Sequence, residues 1–126
     1  MKIYMIILFG YGIWGITSNL VHFSKGTKIK IGESARRQHR EIPLDLSPQT
    51  FYYKVILMFI TGILFTLSSL IYFLYDTKTG IEFTLINSII HSGYGLIQLI
   101  IYYRFYRVWG AFVVYSIPLI LYFIIC

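Results

Sequence analysis

The chain has one cysteine and five acidic residues, and each scarcity removes a class of chemistry. A lone cysteine, Cys126, allows neither an internal disulfide nor a cysteine-based zinc cluster. It is not fourth from the end of the sequence, so no prenylation box is expected. The acids are Glu33, Glu41, Asp45, Asp76 and Glu82, and none lies deep in an apolar run. Proton-driven carriers commonly work through an ionisable group buried in the membrane, so that mechanism has no carboxylate to use here. Enzyme templates are missing too. There is no H-E-x-x-H, no C-x-x-C, no G-x-S-x-G elbow and no P-loop. No catalytic residue, cofactor or metal is predicted.

What the chain has in abundance is apolar length. Hydrophobic residues make up 57% and charged residues 13%, the latter about half the usual share of a soluble domain. Four runs, 3–23, 51–75, 81–103 and 108–126, are each close to the roughly 20 residues a helix needs to cross a bilayer. The expected fold is all-α: one integral membrane bundle of four transmembrane helices, with a basic loop over 24–50. No polar segment is long enough to build a second, water-soluble core. The first run exceeds the 7–15 residues typical of a signal-peptide core and no A-x-A site follows, so it is expected to remain as a span. No internal repeat of the transporter kind is evident.

The net charge of +6 would suggest nucleic acid in a soluble protein. Here the bases flank the runs, so no nucleic acid partner is predicted. Lys25, Lys28, Lys30, Arg36, Arg37 and Arg40 follow the first run, and Arg104 and Arg107 separate the last two. These eight are candidate contacts for anionic lipid headgroups. Bases in short loops mark the cytoplasmic side, which places both ends of the chain outside, in a plasma (inner) membrane. Lys2 weakly opposes this orientation. Tyr52, Tyr53, Tyr102, Tyr103, Tyr106 and Trp109 would form the inner aromatic belt, and Tyr4, Tyr72, Tyr75 and Tyr122 the outer one. Lys54 is expected to snorkel to the inner surface. Ser47-Pro48 reads as an N-cap and first helical position. The stretch from Glu33 to Glu41 is polar all round and reads as a solvated loop.

Within the runs, polar and small residues fall on defined faces. In the third run Thr84, Asn87, Ser88, His91, Gly95 and Gln98 recur at steps of three and four. Such a face must turn toward protein or water, because an unpaired polar group in lipid costs kilocalories. The first run has a matching stripe, Gly12, Gly15, Asn19 and His22, whose glycines offer a groove for the third run. Asn19, Asn87, His91 and Gln98 are thus a candidate intramembrane polar seam, with Gly12, Gly15 and Gly95 as candidate packing positions. His22 and His91 differ in depth by roughly 13 Å at 1.5 Å rise per residue, too far to share a metal. Pro118 should kink the fourth run by stripping the Val114 carbonyl of its partner.

Two function classes lead, ahead of a third, an enzyme with His91 as acid–base. The first is a non-catalytic accessory, assembly or immunity-type subunit that acts through helix–helix contacts with another membrane protein or with copies of itself. The alternative is a small oligomeric channel or transporter using the polar face of the third run.

Overall fold

The structure, a computed structural model, describes the backbone of residues 1–38, 48–101 and 106–125, and side chains within these except at 36–38, 48–51 and 106–108. Five α-helices follow one another: α1 Lys2–Phe23, α2 Lys28–Gln38, α3 Pro48–Leu74, α4 Thr77–Ile101 and α5 Tyr106–Ile125. No strand occurs among the described residues. Three helices, α1, α3 and α4, are long and apolar enough to cross a membrane, and α5 contains a shorter apolar stretch, Trp109–Ile125.

Local chemistry explains the breaks. After α1 the chain turns at Gly26, whose φ of 97° suits a residue without a Cβ. Thr27 then opens α2, its hydroxyl accepting the Lys30 N–H at 3.3 Å. The break between α3 and α4 is only Tyr75 and Asp76, whose N–H groups both return to the Ile71 carbonyl. Asp76 caps α4 by accepting the Thr79 N–H at 3.0 Å and the Thr79 hydroxyl. These bonds hold its carboxyl below the ordinary carboxylate range. Pro48 stands at the first helical position of α3, where its missing N–H costs nothing, while Ser47 lies outside the described residues.

The helix α2 corrects the loop reading of this segment. Its buried residues are Ile31, Gly32 and Ala35, a stripe at helical spacing that packs on Val55 with Phe23 and Tyr52 beside it. The stretch from Glu33 onward looks polar all round because half of that stripe precedes it.

Helix α3 is the hub, packed against α1, α2 and α4, while α5 lies along α4 and touches α1. The main core joins Tyr4, Met5, Leu8, Phe65 and Tyr72. Two members correct the outer-belt reading: Tyr4 is 0% and Tyr72 8% exposed. Tyr4 finds its polar partner inside the bundle, donating to the Pro118 carbonyl at 2.7 Å. Tyr75, at 85%, is exposed.

The glycine faces also differ from expectation. Gly12 packs against α3, where an added Cβ would stand 2.7 Å from the Gly62 carbonyl oxygen and 2.8 Å from the Thr66 nitrogen. Gly15 likewise faces Gly62 and Met58 of α3. The groove predicted for the third span is therefore filled by the second. Helices α1 and α4 make no close backbone approach among the described residues. Gly95 of α4 instead admits the Tyr115 ring of α5, which an added Cβ would meet at 2.9 Å.

Candidate functional site

The α4 polar face is buried along Thr84, Asn87, Ser88 and His91. Asn87 donates to the Ser68 hydroxyl of α3 at 2.9 Å, and Ser68 donates on to the Leu64 carbonyl at 2.7 Å. Thr84 meets the Met5 sulfur of α1 at 3.8 Å. His91 is 2% exposed and stands among three aromatic rings. The rings of Tyr11, Phe65 and Tyr115 pack edge-on to it at centroid distances of 5.7, 5.4 and 5.0 Å. Its Nε2 is hydrogen-bonded to the Tyr11 hydroxyl at 2.6 Å. Its Nδ1 is buried without a partner among the described residues, as is the Ser88 hydroxyl.

The other seam candidates bond within their own helices. Asn19 donates to the Gly15 carbonyl at 2.6 Å, and Gln98 donates to the Tyr94 hydroxyl at 2.9 Å. The four residues thus form no continuous chain of bonds. Asn87 and His91 reach other helices, whereas Asn19 and Gln98 satisfy themselves locally.

Sequence reasoning missed a cavity of about 350 Å³ between α1 and α3. Its α1 wall is one helical face, running from Tyr11 through Gly15 and Asn19 to His22. That face extends about 16 Å at 1.5 Å per residue. Its α3 wall is Lys54, Val55, Met58, Thr61 and Gly62. His91, Val114 and Tyr115 close it from α4 and α5, and Ala35 of α2 borders it. The two histidines therefore line one space, His22 at the α2 end and His91 at the Tyr11 end. His22 is hydrogen-bonded through Nδ1 to the Ser34 hydroxyl of α2 at 2.9 Å. Lys54, expected to snorkel, is half-buried in the cavity wall and also borders a second, more open cleft beside Tyr94. A signal for the cavity was present in the chain: Gly15, Ser18 and Asn19 of α1 are small or polar where a filled interface needs bulk.

Among the described residues no group of three histidines, cysteines or acids is placed to hold a metal ion. Of the candidate headgroup contacts, Lys28 lies over the rings of Tyr52 and Tyr53 at 5.2 and 4.8 Å and donates to the Tyr53 hydroxyl at 3.2 Å. Lys25 and Lys30 are exposed. Arg40 and Arg104, and the side chains of Arg36, Arg37 and Arg107, lie outside the described residues, as do Tyr102, Tyr103 and Cys126.

Compared with known proteins, the chain matches no family model, and neither the curated proteins nor the solved structures give a match. The functional reading rests on the geometry.

Proposed function

We propose that this is an integral membrane bundle of four transmembrane helices that works without catalysis. It acts through contacts between its outer helix faces and another membrane chain, as an accessory, assembly or immunity-type subunit. The observation that carries this reading is the division of α4. Thr84, Asn87, Ser88 and His91 are buried within the chain, while Ile86, Ile89, Ile90, Ile97 and Ile100 are exposed. A face buried in this way gives the channel alternative no continuous polar path along α4. The outer surface also carries Gly10 and Gly93, at which an added Cβ would meet nothing within 4 Å. In lipid, such small residues let a neighbouring backbone approach closely.

The fourth span is supported by the packing of α5. It lies along α4, and its Pro118 carbonyl receives the Tyr4 hydroxyl of α1. Its 20 residues extend about 30 Å at 1.5 Å per residue, close to the hydrocarbon thickness. The bases in the connections support a reading with α2 and the α4–α5 connection on the cytoplasmic side of a plasma membrane and both ends outside. With Cys126 changed to serine, a cysteine at Lys28 is expected to resist an impermeant thiol reagent in intact cells, and one at Thr79 to react. The reverse pattern overturns the orientation.

Function is tested by purification from the native membrane in a mild detergent. A stoichiometric second membrane chain is expected, released by Gly93→Leu and retained by Ile97→Leu. A homo-oligomer that conducts ions in liposomes would favour the channel reading instead.

A further inference from the structure

We propose that α2 lies in the headgroup layer of an anionic leaflet, with Ile29 immersed among lipid chains and Lys25 and Lys30 paired with lipid phosphates. The inference rests on the membrane-bundle reading above and adds a lipid partner to it.

Depth comes from what α2 packs against. Its buried residues Ile31 and Ala35 meet Val55, with Phe23 and Tyr52 beside them. Phe23 is the last residue of one apolar span, and Tyr52 is the first of the next, Tyr52–Leu74. Two spans that end at one level mark the edge of the hydrocarbon layer, where tyrosine rings favour the headgroups. The turn at Gly26 and the 2.9 Å bond between His22 and Ser34 hold α2 at that level.

The apolar stripe of α2 is wider than the protein covers. Ile29 stands one helical turn before the buried Gly32, so it borders the packed residues and extends their face. It is nevertheless 66% exposed. A short helix with an apolar face and a basic one settles into the interface with its apolar side toward the chains. At the level of Phe23 and Tyr52, lipid chains are the apolar material that can cover Ile29.

Charge selects the lipid. Helix α2 carries four bases against one acid, Glu33. Lys28 is already engaged by the rings and hydroxyl of Tyr52 and Tyr53. Lys25 and Lys30 are exposed, and neither side chain has a partner among the described residues. Their long stems let the ammonium groups rise to the phosphates while the backbone lies lower. An anionic leaflet attracts such lysines within about a Debye length of its surface. Glu33 offsets part of this charge and leaves the balance positive.

The experiment uses the full chain in phosphatidylcholine vesicles with added phosphatidylglycerol, with Cys126→Ser and one reporter attached at Ile29→Cys. A spin label there should collide more often with dissolved oxygen, which concentrates in the chains, than with a neutral water-soluble nickel chelate. A fluorophore at the same site should be quenched about twofold or more strongly by nitroxide-labelled phosphatidylglycerol than by nitroxide-labelled phosphatidylcholine. Lys25→Gln with Lys30→Gln should erase that preference, and Lys25→Arg with Lys30→Arg should keep it. Salt near 1 M should also erase it, since the Debye length falls to about 3 Å. Both lysines are exposed, so the glutamine pair should unfold at the same temperature as the parent. Greater access to nickel than to oxygen, in a chain that resists alkaline extraction from the vesicles, overturns the placement of α2 and leaves the bundle standing. A chain extracted by alkali overturns the bundle reading, and the placement of α2 with it. Equal quenching by the two headgroups overturns the anionic pairing. A preference undiminished in the glutamine pair overturns the assignment to Lys25 and Lys30.

Discussion

The contact between α1 and α3 has two halves made from the same pair of helices. At the Met5–Ser69 end it is solid. Ser69 donates to the Met5 carbonyl at 2.9 Å, and Tyr4, Met5, Leu8 and Phe65 fill the space with almost no exposure. At the His22–Lys54 end the helices enclose a cavity. Between the halves, Gly12 and Gly62 bring the two backbones together. Crossed helices diverge on either side of their closest approach, and what fills the widening gap depends on side-chain size. On one side the gap receives aromatic rings. On the other, α1 offers Gly15, Ser18 and Asn19, and Asn19 folds back on its own helix. A close glycine contact therefore fixes where two helices touch and leaves the filling to their neighbours.

The largest expected effect would expose this difference directly. Phe65→Ala removes a fully buried ring from the solid half and should cost about 3–5 kcal/mol of stability, read by thermal unfolding in detergent. Met58→Ala, on the cavity wall, should cost well under that, because one side of Met58 already lacks close neighbours. Equal losses would mean that the two halves are packed alike. Next comes the hinge between them. Gly12→Ala forces a methyl against the α3 backbone and should cost about 1–3 kcal/mol, whereas at Gly15 an added Cβ has its nearest contact at 3.4 Å and should be tolerated. A destabilising Gly15→Ala would show the cavity closing in the membrane. The smallest effect concerns His91, where the halves meet. His91→Leu deprives the Tyr11 hydroxyl of its partner and should weaken assembly by about 1 kcal/mol, the scale of interhelical bonds in lipid. His91→Asn retains a polar partner and should preserve both assembly and function. Loss of function in a fully assembled His91→Asn protein would support a proton-carrying role and sink the accessory reading.

The three long apolar helices were legible because length and composition are properties of each segment alone. The α4 face from Thr84 to His91 was legible because helical periodicity brings those residues together wherever the helix lies. Partners were not legible. Periodicity gives Gly12 and Gly15 a common face but not a direction, and only packing turned that face to Gly62. Tyr4 and Tyr72 lie near the ends of runs, where tyrosine ordinarily marks the headgroup level. Their burial depends on carbonyls and rings contributed from far along the chain. Helix α2 was hidden because its stripe begins at Ile31, next to lysines that dominate the local composition. The cavity is a shortage of atoms shared among five helices; Gly15, Ser18 and Asn19 record only the α1 share of it.

The bond from Tyr4 to Pro118 spans a sequence separation of 114 residues. At about 5–20 residues per second of synthesis, on the order of ten seconds pass between the emergence of its two ends. Throughout that interval the first helix exists without the acceptor that the last one contributes. The bond therefore marks completion. A chain truncated before Pro118 lacks this acceptor, so the bond distinguishes copies that carry the last helix from those that do not.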